Sequence, residues 1–471
     1  MNKYDISVFN CELYFCPIET RTPLKFGIET TTHVVSARTK MSVKTANGVI
    51  KDGWGETPLS VAWVWPGSLS YTYRLEQLQR FCTLLREEWK RCPYTGHSVE
   101  IGHLFIQNDL KRVHAFYNSG VSETLQMPYL AALVCNSLFD IAISDAYGNA
   151  HAASVWDVLT SEYMNHDLAW YYSSEYAHLF ENRYPSDYLV PKEELPNELV
   201  AWHLVGAKDI LLREGYDGDI VEDGYPFFLT DWIKRDGLTA LKVKLSGTDS
   251  EWDYKRLVDV GTIAIDSGVL WLSADFNCTV LDPLYVCNIL DTLILEYPRM
   301  YGMLLYVEQP FPYEIMDHPI DVHSVSARKP LFMDESAHDW QHVAFGRNLG
   351  WTGVALKTCK TFSGALLSMC FAKQHGMTLM VQDLTNPMLA QIPHVQLAAH
   401  SGTIMGVETN AMQFYPEVSK NEMKIHPGLY KRRDGKVDLS TIGTIGFGYR
   451  YDEIIQKMNE DGVVSSWVKV E

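Results

Sequence analysis

Short apolar runs that each end in a charged residue recur through the second half of the chain. The runs share a length of four to six residues and lie at 241–244, 270–275, 304–308, 331–334 and 354–357. Their last residues are separated by 23 to 33 residues, which leaves room for one helix and two loops between consecutive runs. Buried strands that alternate with helices in this way predict a (β/α) barrel, in which the strand ends face one common site.

The first part of the chain follows a different pattern. Strand-like positions at 36–45 and 49–56 surround a short turn, which predicts a hairpin. Helical periodicity over 73–90 and 128–147 predicts two helices, with Gly148 as the C-cap of the second helix. This region therefore reads as an α+β unit ahead of the barrel.

Between these two parts the periodicity is lost. A short helix is predicted at 154–159, and residues 163–200 are rich in Tyr, Glu, Asn and Pro without a clear period. A connection of that length is long for a structureless loop. We therefore expect an insertion that packs on the surface or at an interface; the alternative is that its aromatic residues line the cleft. The strand–helix repeat is predicted to start with a strand at 204–207.

Composition narrows the class of protein. The chain has 471 residues, of which 46% are hydrophobic and 21% are charged, as in a globular protein large enough for two domains. The formal net charge of −18 argues against a nucleic-acid or membrane-surface partner. Nine cysteines without a Cys-x-x-Cys pair predict reduced thiols, and the absence of an apolar signal segment adds to the expectation of a cytoplasmic protein. The apolar stretch at 127–143 is interrupted by Asn136 and Asp140, so it predicts a buried helix rather than a membrane span.

Three of the strand ends carry carboxylates and two carry lysines. Asp275, Glu308 and Asp334 end consecutive runs, so their side chains are expected to meet at one barrel mouth. Like charges repel there unless a cation lies between them, and carboxylate oxygens suit Mg²⁺, or Mn²⁺ as a substitute, better than zinc. Lys244 and Lys357 flank the three acids. The spacing therefore indicates a candidate metal and acid–base site.

The residues around these strand ends form recognisable motifs. In chain order they are Gly-x-Gly-Glu-x-Pro at 53–58, Lys-x-Lys at 242–244, Asp-x-Asn at 275–277, Glu-Gln-Pro at 308–310, Asp-Glu-Ser at 334–336 and Lys-x-x-Lys at 357–360. In this order and spacing the chain resembles the enolase superfamily, and within it the muconate lactonizing enzyme and dipeptide epimerase branch of the mandelate racemase/muconate lactonizing enzyme family. The resemblance covers nearly the whole chain apart from residues 163–200.

The resemblance implies an α/β protein built from a (β/α)7β TIM-like barrel and an α+β capping domain, which the N-terminal region and the C-terminal tail form together. The implied division is a capping domain with its linking helix at 1–160, an insertion or elaborated loop at 161–200, the barrel with the active site at 201–425, and a segment returning to the capping domain at 426–471. The resemblance also implies a homo-oligomer, either a dimer or an octamer.

The resemblance further implies a Mg²⁺-dependent enzyme that abstracts the proton α to the carboxylate of a small-molecule substrate. Asp275, Glu308 and Asp334 would hold the metal, and Lys244 and Lys357 would be the acid–base pair. Electrostatic support is expected from Lys242, Asn277 and Glu335, and candidate substrate contacts are Lys25, Phe26, Trp54, Glu408 and Asn410. The reaction class stays open between a racemase or epimerase, a cycloisomerase and a lyase.

Departures from the family pattern bear on the substrate and on rival functions. The eighth strand ends in Glu408-Thr409-Asn410, with one acid fewer than the Asp-x-Asp of dipeptide epimerases, so a standard dipeptide is not the expected substrate. The seventh strand ends in Gln382-Asp383 without a His, which argues against an acid-sugar or other hydroxy-acid dehydratase. That dehydratase and a catalytically degenerate binding or scaffold protein remain the alternatives. A metal-dependent barrel hydrolase would bring His ligands to the strand ends, and none of the five charged strand ends is His.

Overall fold

The computed structural model describes residues 2–26 and 29–471, with the backbone but not the side chains of Lys25 and Phe26. The strands are, in chain order, β1 (Ile6–Phe26), β2 (Glu29–Thr45), β3 (Ile50–Leu59), β4 (Thr95–Gly96), β5 (Glu198–Val205), β6 (Ala240–Lys244), β7 (Trp271–Asp275), β8 (Leu304–Glu308), β9 (Leu331–Met333), β10 (Gly353–Leu356), β11 (Thr378–Val381), β12 (Val407–Glu408), β13 (Lys436–Asp438) and β14 (Val468–Lys469). The helices are α1 (Val61–Val64), α2 (Tyr71–Lys90), α3 (Ser98–Leu104), α4 (Lys111–Asn118), α5 (Tyr129–His151), α6 (Ser174–Ala177), α7 (Leu229–Asp236), α8 (Ser250–Asp266), α9 (Pro283–Glu296), α10 (Pro298–Met303), α11 (His323–Ser326), α12 (Trp340–Asn348), α13 (Phe362–Gln374), α14 (Gln391–Ser401), α15 (Ala411–Phe414), α16 (Lys420–Ile425) and α17 (Tyr451–Glu460).

An antiparallel sheet forms the cap of the molecule. Its order is β14-β1-β2-β3, and β4 pairs with β1 off this path. The strands β1 and β2 form a long hairpin, and β14 adds to β1 through the Tyr14↔Lys469 pair. The N-terminal region and the C-terminal tail therefore build one sheet together, which confirms the predicted composition of the capping unit.

Helix α5 is the core of the cap. Its residues 130–148 are all buried, and Gly53 and Gly55 bring the β3 backbone directly against the helix backbone. A Cβ at Gly55 would overlap the Leu138 carbonyl oxygen, so this contact requires glycine. By length and composition residues 123–151 would suit a membrane span, but 89% of the most apolar window is buried inside the protein. This burial agrees with the prediction that the apolar stretch at 127–143 forms a buried helix rather than a membrane span.

The predicted C-cap at Gly148 is wrong. Helix α5 continues to His151 and ends where Ala152 adopts a left-handed conformation with φ of 51°. Gly148 lies inside the helix, where a Cβ would come within 2.7 Å of the Gly446 Cα atom. This glycine is therefore required by the close approach of the C-terminal tail and not by helix termination.

The parallel strands form a barrel whose order is β11-β10-β9-β8-β7-β6-β5-β12. Between β11 and β12 no ladder is formed in the described residues, but Ile404 donates its backbone N–H to the Leu379 carbonyl at 2.7 Å and nearly closes the ring. The predicted α/β class, a TIM-like barrel with a capping domain, is thus confirmed. Strand β5 begins at Glu198, so the predicted first strand at 204–207 overlaps only its C-terminal end.

Residues 161–200 pack on the outside of the barrel. The ring of Tyr172 lies edge-on to Trp340 of α12, and its hydroxyl donates to the Leu367 carbonyl of α13 at 2.8 Å. The segment therefore covers the barrel helices α12 and α13, in agreement with the expectation that it packs on the surface. The short helix predicted at 154–159 is wrong, because residues 155–158 form turns and Ser154 forms an isolated bridge with Gly446. The domain boundaries themselves stay a prediction.

Buried carboxylates join α5 to the barrel and to the tail. Asp140 accepts hydrogen bonds from the backbone N–H and the hydroxyl of Ser363, both at 2.7 Å. Asp145 accepts from the backbone N–H groups of Trp54 and Phe447 at 2.9 and 2.8 Å. Burial raises the pKa of Asp140 to about 6 and that of Asp145 to about 7. These bonds satisfy groups that would be costly to bury without partners, and they fix the cap over the barrel.

Gly55→Ala should destabilise the fold. The new Cβ would overlap the α5 backbone at Leu138, which cannot turn aside like a flexible side chain, and overpacking of this kind costs about 1–3 kcal/mol or more. Urea denaturation followed by circular dichroism measures the free energy of unfolding. Gly67→Ala is the matched control, because no described atom lies within 4 Å of a Cβ there. Equal losses in the two variants would contradict the close approach of β3 and α5.

Candidate active site

Strand register brings the charged strand ends to one level of the barrel mouth. Lys244 on β6 pairs with Asp275 on β7, and Asp275 pairs with Glu308 on β8. Asp334 follows directly after β9, and Lys357 follows directly after β10. Parallel strands of a barrel present their carboxyl ends on the same face. The five predicted residues therefore meet beneath one cleft.

Lys242 lies at the centre of the acids. Its Nζ atom is 2.7 Å from Glu308 Oε1, 3.2 Å from Asp275 Oδ2 and 3.1 Å from Glu408 Oε2. None of these four residues is more than 2% exposed. Charges buried so deeply are tolerated only when they compensate one another. Lys242 is therefore the cation that holds this end of the barrel together.

Lys244 and Lys357 stand on opposite walls of the barrel. Three strands separate β6 from β10 in either direction around the ring. Lys244 pairs with Asp275 and donates to Asn277 Oδ1 at 3.0 Å. The Lys357 Nζ atom lies 3.0 Å from Asp334 Oδ2. A small molecule bound between the two walls would thus face one lysine on each side.

A cap tryptophan completes the surroundings of Lys357. The Lys357 Nζ atom lies 4.9 Å from the centre of the Trp63 ring, a favourable position for a cation. The same ammonium group donates to the Asp383 carbonyl at 3.0 Å. The Trp63 indole N–H in turn donates to Glu335 Oε1 at 2.8 Å. Cap and barrel therefore share this wall of the cleft.

Burial and charge pairing shift the pKa values of the acids in opposite directions. Burial, reinforced by the charge of Asp275, raises the pKa of Glu308 well above its ordinary value. Burial also favours the neutral form of Asp275, but the neighbouring lysine ammonium groups outweigh it and lower the pKa of this carboxyl. Burial and the charge of Asp334 raise the pKa of Glu335 to about 7. Burial is the first cause of both raised values, and repulsion between the acids adds to it; an additional cation would relieve that repulsion.

The three strand-end acids offer the oxygen ligands that Mg²⁺ and Mn²⁺ prefer. Asp334 Oδ1 is buried and has no hydrogen-bond partner among the described residues. As the side chains stand, no group of three or more His, Cys, Asp or Glu residues in the described part of the chain is arranged to hold a metal ion. Lys242 lies between Asp275 and Glu308 instead. The set thus fits a divalent cation in ligand type and charge, once the Lys242 pairs rearrange.

Two of the expected substrate contacts do line the cleft. Glu408 and Asn410 face it at the end of β12, and Asn410 Nδ2 donates to Glu408 Oε1 at 2.6 Å. The Asn410 backbone N–H donates to Asp383 Oδ2, also at 2.6 Å. The ends of β11 and β12 therefore form one polar edge of the cleft, made by Asp383, Glu408 and Asn410.

The expected substrate contact of Trp54 is corrected by the structure. Its ring packs against Tyr451 of α17 with the ring centres 4.2 Å apart, on the side of the C-terminal tail. Trp54 is not among the described residues that line the cleft, whereas Trp63 is. The side chains of Lys25 and Phe26 lie outside the described residues, so their expected contacts stay a prediction.

Sequence reasoning missed several residues of the cleft. Trp63 lies in α1, whose four residues are too few to show a helical period. Asp383 comes after Gln382, just beyond the end of β11. A search for charged residues at strand ends, which identifies Asp275, would also have identified Asp383. Tyr415 reaches the cleft from the end of α15, and no pattern in the sequence indicates it.

Comparison with known proteins supports the fold and its family. Residues 228–455 match the family described as enolase C-terminal domain-like. Among solved structures, the dipeptide epimerase from Enterococcus faecalis V583, complexed with Mg and the dipeptide L-Leu-L-Tyr, is 14% identical with a TM-score of 0.58, over 94% of this chain and 99% of that chain. The N-succinyl Arg/Lys racemase from Bacillus cereus ATCC 14579 is 15% identical with a TM-score of 0.58, over 99% and 100%.

A muconate lactonizing enzyme has the same architecture. The enzyme from Pseudomonas fluorescens, complexed with muconolactone, is 12% identical with a TM-score of 0.57, over 94% of this chain and 96% of that chain. No curated protein matches the sequence. Identities this low establish a shared fold, and the family match adds the barrel sequence itself. Residues 228–455 are therefore similar to the enolase C-terminal domain-like family, and the chain as a whole has the fold that these enzymes share.

Proposed function

We propose that this chain is a Mg²⁺-dependent isomerase or lyase that removes the proton α to the carboxylate of a small-molecule substrate. The observation that carries the proposal is the pair of lysines on opposite walls of one cleft, Lys244 and Lys357, with three buried acids on the strands between them. A proton α to a carboxylate is weakly acidic. Its removal needs a positioned base and a means of stabilising negative charge, and the cleft offers both.

A lysine can take the proton only in its neutral form, so its pKa must fall from about 10.4 towards the working pH. Burial lowers the pKa of Lys357, but the Asp334 carboxylate outweighs burial and raises it. Engagement of Asp334 with a cation would remove this effect. One lysine would then remove the proton on one face, and the other would return it on the opposite face.

Asp275, Glu308 and Asp334 are the proposed ligands of Mg²⁺, with Mn²⁺ as a substitute. The dipeptide epimerases from Enterococcus faecalis and Cytophaga hutchinsonii are both complexed with Mg, which supports this assignment for a chain of the same fold. A cation in this position would neutralise charge on the substrate carboxylate as the α proton leaves. Lys242, between Glu308 and Glu408, adds positive charge nearby.

Asn277 and Glu335 are proposed as positioning residues. The Asn277 backbone N–H donates to Asp275 Oδ1 at 2.9 Å, while its side-chain oxygen accepts from Lys244 at 3.0 Å. It therefore orients one acid and one lysine at once. Glu335 orients the Trp63 ring over which Lys357 lies. Both are polar groups that act through a neighbour rather than on the reacting atoms.

The reaction class stays open between a racemase or epimerase, a cycloisomerase and a lyase, because two opposed lysines support each of them. A dehydratase that uses a histidine at the seventh strand is disfavoured, since Gln382 and Asp383 follow β11 and no histidine is among the described residues that line the cleft. A binding or scaffold protein without catalysis is disfavoured by the complete set of three acids and two lysines.

The cysteines and the net charge of the chain support a proposal for its location and its partners. All nine cysteines are free thiols, as expected of a reducing compartment, and we propose a cytoplasmic location. The net charge of −18 argues for a small-molecule partner rather than a nucleic acid or a membrane surface. A homo-oligomer, dimer or octamer, remains a proposal that rests on the family.

Lys244→Ala and Lys357→Ala should each abolish proton exchange from one face of the substrate, because each removes one member of the acid–base pair. The expected loss is at least about 100-fold, the usual range for a general acid or base. Proton NMR in deuterium oxide measures exchange at the α position across a panel of carboxylates of both configurations. Lys255→Ala, an exposed lysine on α8, is the matched control. Full exchange of both enantiomers in either active-site variant would contradict the two-base mechanism.

Mg²⁺ should stabilise the folded protein against heat, because it binds acids that repel one another only in the folded state. At 100 times the dissociation constant the gain is about 2.7 kcal/mol, which differential scanning calorimetry detects as a rise in Tm. Removal of divalent cations by EDTA should abolish both the rise and α-proton exchange. Asp334→Asn should lose the Mg²⁺-dependent rise, whereas Asp317→Asn, at an exposed position, should keep it. The same rise in both variants would exclude Asp334 as a ligand.

A further inference from the structure

A second and larger cavity adjoins the reacting centre. Its volume is about 690 Å³, in the range of sites that bury a small organic molecule. Lys244 and Trp63 line both this cavity and the cleft with the polar edge. A molecule held between the two lysines would therefore extend into the larger cavity past Lys244. We call this space the distal cavity.

Rings dominate the wall of the distal cavity. Trp63 comes from the cap, Trp252 from the first turn of α8 and Tyr313 from the segment after β8. Pro66 and Pro312 add apolar surface beside them. Aromatic and proline surfaces recruited from three separate parts of the chain favour a flat apolar group. The cavity is thus suited to an aromatic ring.

Acids dominate the charge of the distal cavity. Apart from Lys244, the charged side chains that line it among the described residues are Glu29, Asp249 and Glu335. Glu29 is paired with Arg74 at 2.7 Å, and Asp249 caps α8 by accepting from the Trp252 backbone N–H at 3.0 Å. These two acids are therefore already engaged.

One oxygen of the Glu335 carboxyl group lacks a hydrogen-bond donor among the described residues. Its Oε1 atom accepts from Trp63, while its Oε2 atom is buried and has no hydrogen-bond partner among the described residues. A buried acceptor without a donor is costly. A ligand group that donates a hydrogen bond would satisfy this oxygen.

We propose that the substrate carries a neutral aromatic group that occupies the distal cavity. This inference rests on the proposed function, since Lys244 lines both the distal cavity and the reacting centre. The selection comes from the rings of Trp63, Trp252 and Tyr313, which offer an aromatic group more contact than a small or a charged side chain would find there.

Isothermal titration calorimetry in the presence of Mg²⁺ tests the selection without requiring turnover. The probes are N-acetyl-L-tryptophan, N-acetyl-L-alanine and N-acetyl-L-glutamate, which share the carboxylate and the amide and differ only in the side chain. The tryptophan derivative should bind more than tenfold more tightly than either of the others. Equal or tighter binding of the glutamate derivative, or no binding of the tryptophan derivative, would overturn the inference.

Variants assign the selectivity to the distal cavity. Trp252→Ala and Tyr313→Ala should each weaken the tryptophan derivative at least tenfold and leave the alanine derivative unchanged. Trp170→Ala is the matched control, because Trp170 is 39% exposed on the 161–200 segment and does not line the cavity. Unchanged affinity in both cavity variants would overturn the inference.

A parallel measurement of α-proton exchange separates this inference from the proposed function. Selective binding of the tryptophan derivative without exchange would contradict the proposed chemistry and leave the distal cavity as inferred. Exchange that is fastest with the glutamate derivative would support the chemistry and overturn the inference.

Discussion

Charge compensation around Lys242 is the constraint on which the rest of the structure depends. One ammonium group touches three carboxylates that come from three different strands, and all four groups are shut away from water. Breaking such a pair by removing one partner costs about 3–5 kcal/mol, because a charge is left buried alone. The barrel can therefore close only in a register that brings Asp275, Glu308 and Glu408 to the same level as Lys242.

That register explains why the site is shared between cap and barrel. The charges around Lys242 compensate one another within the barrel. They must still be kept away from water, because exposure to water would weaken each of these ion pairs. The cap supplies this cover through Trp63, and it is held in place by Asp140 and Asp145, which tie α5 to the barrel and to the tail. The glycines on β3 allow that strand to pack backbone to backbone against α5, the helix that Asp140 ties to the barrel.

The reacting half of the site consists of the acids and lysines at the strand ends. It could be predicted because these residues recur at a regular spacing along the chain. Charged residues at regularly spaced strand ends must converge in a barrel, and the three acids and two lysines do converge. Residues outside that period could not be placed in the same way. Trp54 lies within the Gly-x-Gly-Glu-x-Pro motif on β3 and packs against Tyr451, whereas Trp63 lies in α1 and lines the cleft. The burial of residues 161–200 likewise depends on barrel helices distant in sequence.

The two halves of the cleft are therefore under different constraints. The strand-end acids and lysines of the reacting half are placed by strand register and paired by charge, so removal of one leaves a buried partner uncompensated. The distal cavity is built from the first turn of α8, the segment after β8 and the short helix α1, which no register connects. The ion-pair partners of Lys242 that the structure describes are Asp275, Glu308 and Glu408, none of which lines the distal cavity. Under the proposed function, the residues that choose the substrate are therefore less constrained than those that carry out the chemistry, and the two constraints meet at Lys244 and Trp63, which line both spaces.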